Sequence, residues 1–294
     1  MSGLSFERLQ TFCLVAEAGS IAQAAPGDAT RQSQFSRQLK ELEGAVEEKL
    51  FKREGKKLLL TEAGRKLALA TQGYFGAIAE IRTSAGGESG EVRFGSSESV
   101  IRWIVIPHLN AITTGNPGFR FELHTMRTQE AVQQVKEGRL EMAIVRSDAV
   151  EEPLIGEPIG ALDFSWVVPR TLLPGKSQEG IRLVKELPMV LLTGDGKLMT
   201  GVKAVADQNQ LNISIKLLAD NFSLIAETIQ NCRYATVLPA PAAANLSKER
   251  FAIINLRGME ALRRELSLVY NSRIVGIRAS IKRVAERIVR TLRG

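Results

Sequence analysis

The sequence predicts an α+β multidomain chain, with an all-α N-terminal block that ends in a long helix and an α/β domain made of two subdomains. Three observations lead there. Apolar residues recur at helical spacing as far as about residue 82, a Gly- and Ser-rich stretch follows at 83–90, and from Glu91 the pattern turns to strand–helix–strand. With 294 residues the chain has room for two domains or three.

In the first block Ser5 suits an N-cap, and Phe6, Leu9, Phe12, Cys13 and Ala16 share one helical face. Gly19 is a helix stop, Ser20 can cap again, and Ile21–Ala25 makes a short second helix. Pro26-Gly27-Asp28 has turn chemistry. A third helix starts near Thr30, with the apolar stripe Phe35, Leu39, Leu42 and Val46. Leu50 and Phe51 then anchor a hairpin whose charged tip is Arg53-Glu54-Gly55-Lys56-Lys57 and whose return strand is Leu58–Leu60. Thr61 caps a long helix from Glu62 to about Arg82. Leu60, Leu67, Tyr74 and Ile81 are spaced by seven, with Ala63, Ala70 and Ala77 between them. Such a narrow seam admits a partner helix closely, and it runs past the compact part of its own domain, which favours a dimer over packing in cis.

The α/β part reads as strands at Val92–Gly95, Phe119–Thr125 and Met142–Val145, with helices over 100–114 and 129–137. A second unit has strands at Ser165–Val168, Met189–Leu192, Ile213–Leu218, Ala235–Leu238 and Ala252–Asn255. Its helices fall near Lys203–Asn209, Phe222–Gln230 and Ala240–Leu246. A late strand, Leu266–Tyr270, and a closing helix, Ile281–Leu292, return to the first unit. The expected divisions are 1–61, a linker helix at 62–82, a hinge at 83–90, and 91–294. Within the last, subdomain I takes about 91–162 and 265–294, and subdomain II about 163–264.

The formal charge of +7 favours polyanionic partners but says nothing of fold. Cys13 and Cys232, both among apolar residues, read as buried thiols of a reducing compartment. The start lacks a secretory pattern and no run of eighteen apolar residues occurs, so a cytoplasmic protein without membrane attachment is expected. Enzyme readings find little support. His108 and His124 are the only histidines, and no His/Cys cluster has metal-ligand spacing. Gly95-Ser96-Ser97-Glu98 is not a nucleophile elbow, and neither a dinucleotide fingerprint nor a phosphate-loop lysine is present. No catalytic residue, metal or cofactor is assigned.

Two short helices, a tight turn and a longer amphipathic helix match a winged helix-turn-helix, whose second motif helix enters the major groove. Gln32, Ser33, Gln34, Ser36, Arg37, Gln38 and Lys40 give the third helix a polar face able to pair with bases or phosphates. Arg53, Lys56 and Lys57 on the wing suit phosphates. Periodicity alone equally fits a generic three-helix domain with a solvated face. Charge does not decide, since residues 1–82 hold twelve Lys/Arg against ten Asp/Glu.

The block closely resembles the LysR-type regulators. The resemblance rests on Phe12-x-x-Val15-Ala16-Glu17-x-Gly19-Ser20, Ala24-Ala25, Gln32-x-x-x-Ser36-Arg37-Gln38-x-x-x-Leu42-Glu43, Leu50-Phe51-x-Arg53 and Leu60-Thr61-x-Ala63-Gly64, in order and register over about 65 residues. It implies a third helix that reads DNA, a wing on the backbone and a long helix that dimerises. It places base or phosphate contacts on Ser20, Gln32, Ser33, Ser36, Arg37 and Lys40, while the heptad spacing puts the dimer seam on Leu67, Ala70, Tyr74, Ala77 and Ile81. Three departures stand out. Pro26-Gly27-Asp28-Ala29 replaces the end of a longer second helix, a family proline near Ser33 is missing, and Glu47 stands where the family has glycine.

The second part is similar to the family's sensor domain through Val92-x-Phe94-Gly95-x-Ser97, Ile106-Pro107-x-Leu109, Asn116-Pro117, Gly138-x-Leu140-Glu141-x-Ala143-Ile144 and Val237-Leu238-Pro239. That domain resembles periplasmic binding proteins, with a small-molecule cleft between two subdomains. Ligands of open α/β sheets sit beyond the carboxyl ends of strands. Ser96, Ser97 and Ser99 follow the first strand, Arg127 and Thr128 the second, Arg146 the third, and Thr193, Gly194 and Asp195 stand in the matching place of the second unit. Helix capping is the plainer role for any one of them; as a set they suit an anionic effector.

The basic C-terminal segment (Arg257, Arg263, Arg264, Arg273, Arg278, Lys282, Arg283, Arg287, Arg290 and Arg293) reads as a solvated helix face, with a second DNA contact or a tetramer interface left open. The implied partners are double-stranded operator DNA, a second copy as homodimer or homotetramer, a small-molecule effector and RNA polymerase. The rivals are an effector-independent DNA binder with a degenerate sensor, and a solute-binding module.

Overall fold

The computed structural model describes residues 4–55, 57–83, 89–175, 178–194 and 196–293. Each early helix has its own cap. Ser5 accepts from the Arg8 N–H to start α1 (Phe6–Ala18), and Ser20 from the Gln23 N–H to start α2 (Ile21–Ala24). Asp28 accepts from the Arg31 N–H at 2.9 Å to start α3 (Ala29–Val46). The Pro26–Asp28 segment therefore does two things. It stops α2 early and supplies a strong N-cap for α3. Phe12, Val15, Phe35, Leu39 and Leu42 from α1 and α3 close over Leu50 as one core.

Glu43 joins α3 to the wing. Its Oε1 accepts from the Leu50 and Phe51 N–H groups, and Oε2 from Lys49. The wing is the antiparallel pair β1 (Phe51–Glu54) and β2 (Lys57–Leu60), tied to the helices where the Leu58 N–H meets the Gly19 carbonyl at 2.7 Å. At Gly64, in the first turn of α4 (Glu62–Thr83), a Cβ would lie 2.1 Å from the Leu50 carbonyl oxygen. Only glycine fits there.

The apolar residues of α4 divide among three surfaces. Ala63, Leu67, Ala68 and Phe75 pack into the N-terminal core. Leu69 joins the core of the α/β part, while Gly73 and Gly76 approach Ile277 and Arg278. Tyr74, Ile78 and Ile81 face outward, at 61%, 41% and 75% exposure. The heptad expected from Leu60 to Ile81 is thus split, with Leu60 on β2 and Leu67 in the core of its own domain.

In the α/β part, one five-stranded sheet has the order β4-β3-β5-β12-β6. It contains β3 (Gly90–Ser96), β4 (Phe119–Thr125), β5 (Met142–Arg146), β6 (Leu154–Leu162) and β12 (Arg264–Asn271). β3 runs parallel to β4 and β5, and β12 antiparallel to β5 and β6. Between β3 and β4 lie α5 (Glu98–Val100) and α6 (Leu109–Thr114), and α7 (Thr128–Lys136) precedes β5. The second sheet pairs β10 (Thr236–Pro239) and β11 (Phe251–Ile254) on either side of β7 (Phe164–Pro169). β8 (Leu187–Leu192) lies parallel to β9 (Ile213–Ala219), and a bridge from Met189 to Ala235 links this pair to the chain just before β10. The helices here are α8 (Gly196–Gln208), α9 (Phe222–Asn231) and α10 (Ala240–Ala244). α11 (Ser272–Val275) and α12 (Ala279–Arg293) return to the first sheet, where Ile281, Val284, Ala285, Ile288 and Val289 are buried. Among the described residues no helix is long and apolar enough to cross a membrane.

Several expectations are corrected. The helix expected over 100–114 is present from Glu98 to Thr114, but not as one regular α-helix: α5 passes into a π-helical turn at Ile101–Val105, then a 3-10 turn at Ile106–His108, then α6. Pro107, which has no N–H to give, sits where the pattern tightens to the 3-10 turn. β6 is absent from the sequence-based expectation. It is an edge strand carrying Gly156, Pro158 and Gly160, and an edge is where a sheet tolerates such residues. Cys232 is exposed rather than buried, because it follows the last residue of α9 in extended backbone. Cys13 is buried, and burial together with nearby Glu17 pushes its thiol up to about 12. The hinge expected at 83–90 falls mostly outside the described residues.

The largest correction concerns Arg278, expected on a solvated face but only 4% exposed. Its Nε meets Glu80 of α4 at 2.8 Å and its Nη1 meets Glu141 at 3.0 Å. Glu141 also accepts from the backbone N–H, Nε and Nη2 of Arg93. Burial pushes the Arg93 pKa down, but the bonded Glu141 carboxylate together with the charges of Glu17 and Glu91 leaves it above its ordinary value. Arg93 also comes within 3.9 Å of Glu17 on α1.

Two stability outcomes follow. Removing one member of a buried ion network costs about 3–5 kcal/mol, so Arg278→Ala should lower the urea midpoint of the intact chain sharply. Lys282→Ala, on the exposed face of α12, should change stability by less than about 0.5 kcal/mol. Equal small effects would refute the assigned role of Arg278. Glu47, which ends α3 at φ 57°, is in left-handed backbone that suits glycine. Glu47→Gly should stabilise the chain by about 1 kcal/mol, read as a higher melting temperature; an unchanged or lower value would show that no strain is relieved.

Candidate nucleic-acid interface and ligand cleft

α3 presents one polar ridge to solvent. Ser33, Arg37 and Lys40 are exposed and Ser36 is half-buried beside them. The Arg37 side chain is 75% exposed, with its Nε 3.7 Å from Glu41 one turn on. The other polar residues of the helix have intramolecular roles. Gln32 donates to the Ala25 carbonyl at 2.8 Å and so ties α3 to the end of α2. Gln34, on the flank, is 3.3 Å from Glu7. Gln38 is buried, against expectation; it accepts from Thr11 at 2.6 Å and donates to Glu7 at 2.7 Å. The spacing of Gln38 from Phe35 and Leu42, one helical turn each way, is a signal that it faces inward. The Ser20 hydroxyl is half-buried and caps α2. Lys52, Arg53 and Lys57 are exposed on the wing, and Lys56 lies outside the described residues.

The second candidate site is a cleft of about 790 Å³ between the two sheets. Ser97 and Ser99 enter it beyond β3, Arg127 and Thr128 beyond β4, and Arg146 at the end of β5. Thr193 and Gly194 enter from beyond β8 on the opposite side. Of the eight residues expected there, Ser96 alone is corrected. It is fully buried and its hydroxyl donates to the Ile144 carbonyl at 2.7 Å, inside the sheet. Asp195 lies outside the described residues.

Sequence reasoning missed part of the lining. Phe164 and Phe222, with centroids 5.8 Å apart, form an apolar wall across the junction of the sheets. Glu98, Lys197 and Arg264 also line the cleft. No short motif marks these residues; they meet only because the chain crosses between sheets on either side of β7.

Direct contacts already span the cleft. Lys197 on α8 meets Asp148 at 2.9 Å, and Arg146 lies 3.2 Å from the other oxygen of that carboxylate. Hydrogen bonding from Lys197, helped by the charge of Arg146, holds the Asp148 carboxyl below its ordinary range. Ser223 at the start of α9 donates to Glu98. Arg127 lies over Gly194, where a Cβ would stand 2.6 Å from its Nη2.

Family comparisons agree with this two-part geometry. Residues 6–65 match the model of the bacterial regulatory helix-turn-helix proteins of the lysR family, and residues 85–286 match that of the LysR substrate binding domain. Among curated relatives, the uncharacterized HTH-type transcriptional regulator YeiE of Escherichia coli K12 is 26% identical over 155 residues. That alignment covers 53% of this chain and 53% of YeiE, so the chain spans about half the length of the relative it matches. A full-length OxyR variant from Pseudomonas aeruginosa shares the fold with a TM-score of 0.69 at 14% identity, over 100% of this chain and 96% of that one. Full-length CbnR, in a complex with its target DNA, gives 0.60 at 20% identity, over 97% and 99%. With the helix-turn-helix and the substrate-binding unit matched in order, the second match alone spanning more than half of the sequence, the chain belongs to the LysR family of bacterial regulatory proteins.

Proposed function

We propose that the protein is a sequence-selective, DNA-binding transcriptional regulator, at least dimeric, whose grip on its operator responds to a small molecule in the cleft. The observation that carries this reading is the ridge of Ser33, Ser36, Arg37 and Lys40, solvent-facing on a helix whose opposite side is locked into a core. Arg pairs bidentately with guanine and Ser with a base or a phosphate. The exposed Lys52, Arg53 and Lys57 of the wing supply phosphate contacts beside the ridge. The DNA-bound CbnR structure, which shares this fold, supports the same use of it.

Dimerisation is proposed through the outward face of α4, where Tyr74, Ile78 and Ile81 leave more apolar surface in water than a lone helix needs. Two such subunits would offer two reading helices to half-sites about one DNA turn, or a multiple, apart. A tetramer is a further assembly of the same dimer. In this reading the protein acts in the cytoplasm at promoter DNA, where its occupancy governs RNA polymerase, and it performs no catalytic step. Ser97, Ser99, Arg127, Thr128, Arg146, Thr193 and Gly194 would contact the effector. A solute-binding module would leave the α3 ridge and the wing without a role.

Fluorescence anisotropy on the DNA upstream of the protein's own gene tests this. Binding should be selective and should weaken steeply with salt. Arg37→Ala should cost about 1–3 kcal/mol of discrimination, roughly fivefold to 150-fold, while Arg53→Ala should weaken all sequences alike and reduce the salt slope by about one. No selective binding at low or high salt would sink the reading. For assembly, Tyr74→Asp combined with Ile81→Asp should give a monomer by sedimentation velocity with an unchanged circular dichroism spectrum. A sedimentation coefficient equal to that of the parent protein would place the interface elsewhere.

A further inference from the structure

Two side chains of α1 are fastened to the polar side of α3. Glu7 accepts from Gln38 at 2.7 Å, and Arg8 Nη2 meets Glu41 Oε2 at 2.6 Å. The other oxygen of Glu41, Oε1, lies 3.7 Å from Arg37 Nε on the solvent-facing ridge. Glu41 thus stands between a half-buried arginine and an exposed one. The Arg37 contact is too long for a hydrogen bond, so it takes no donor from the guanidinium. Stability gives little reason for it. Exposed pairs of this kind contribute little, and arginine ahead of glutamate is the weaker order on a helix. For DNA binding a carboxylate beside the ridge is a cost, because phosphates repel it.

We propose that Glu41 is a positioning residue for DNA reading. Arg8 fastens its carboxylate, and the carboxylate in turn holds the Arg37 guanidinium in place for the paired acceptors of a guanine. An exposed arginine samples many rotamers, and a bidentate contact to O6 and N7 requires one of them. A charge that confines the side chain without using its N–H groups lowers that ordering cost for the cognate base and offers nothing to the wrong one. The signature has two parts of opposite sign. Glu41 raises selectivity at one base pair and lowers affinity for DNA at large. This inference rests on the reading of α3 as the DNA-reading helix and deepens it, from the residues that touch DNA to one that aims them.

The test uses the full chain and the DNA it selects, with each base pair of the site replaced in turn and affinities read by fluorescence anisotropy. The position at which Arg37→Ala no longer discriminates is the Arg37 position. Glu41→Gln should shrink the penalty at that position about two- to fivefold and leave the penalties elsewhere unchanged. It should bind unrelated DNA no more weakly than the parent protein does. In the Arg37→Ala background Glu41→Gln should change no penalty at all, because a residue that acts only through Arg37 is silent without it. A loss spread over all positions, or one that persists without Arg37, means that Glu41 only ties α1 to α3, and it overturns the proposal. An unchanged penalty at the Arg37 position also overturns it, as does weaker binding of unrelated DNA or an Arg37→Ala variant that loses discrimination nowhere. In each of these cases selective binding by the parent keeps the DNA-reading function in place. A parent chain that selects no DNA removes that reading, and the proposal falls with it.

Discussion

Glu141 is a buried carboxylate that survives in the interior because two guanidinium groups enclose it. Arg93 offers its own backbone N–H as well as its side chain, and Arg278 approaches at 3.0 Å. Arg278 is in turn buried, and its other donors go to Glu80 on α4 and to the Glu91 carbonyl. No member can be left alone, since an isolated charge in such a place costs several kcal/mol. The network therefore acts as one joint between α4 and the α/β part. It fixes their geometry by directional bonds, which a purely apolar contact would not do.

The rotation of α4 follows from that joint. Arg278 and Ile277 come so close to the helix that only glycine fits at positions 76 and 73 without displacing them. With Leu69, Gly73, Gly76 and Glu80 turned inward at steps of three or four, and Leu67 and Phe75 given to the N-terminal core, one stripe remains. That stripe carries Tyr74, Ile78 and Ile81. The surface proposed for a second copy is thus what remains after two internal docking demands are met. The seven-residue spacing in the sequence records the sum of these demands, and it cannot say which residue serves which.

This explains where the sequence was legible. Cores that one helix or strand builds by regular alternation, such as Phe35, Leu39 and Leu42, are visible from spacing alone. Caps are visible too. Ser5 and Ser20 act as their residue types suggest, and Glu47, which replaces a family glycine, does occupy left-handed backbone. What escaped is set by partners distant in the chain. Gln38 is polar yet buried because Thr11 and Glu7 meet it. Ser96 is withheld from the cleft by Ile144. Arg278 is one arginine among many in the sequence, and only Glu80 and Glu141 single it out. Seven of the eight residues expected at the cleft line it, because strand ends in open sheets point to one place. Glu98 and the Phe164–Phe222 wall depend on how two sheets face each other, and no local pattern encodes that.

The joint and the cleft are two ends of the same strands. β5 runs from Met142, next to Glu141, to Arg146 at the cleft, and Met142 to Val145 are fully buried between β3 and β12. β3 likewise carries Arg93 near its start and leads to Ser97 at the cleft. Strands held on both sides do not stretch or slip register singly, because a one-residue slip would turn every core side chain outward. A ligand can therefore act on α4 in only one economical way. In the proposed effector reading it would shift a balance between arrangements of the two sheets, and the first sheet would then move as a body with Glu141 and Arg93 fixed in it. The size of that shift is bounded by how differently the ligand binds the arrangements. The contacts already spanning the cleft, Lys197 to Asp148 and Ser223 to Glu98, belong to one of these arrangements. A ligand that keeps both contacts favours the arrangement described here, and one that displaces either favours another.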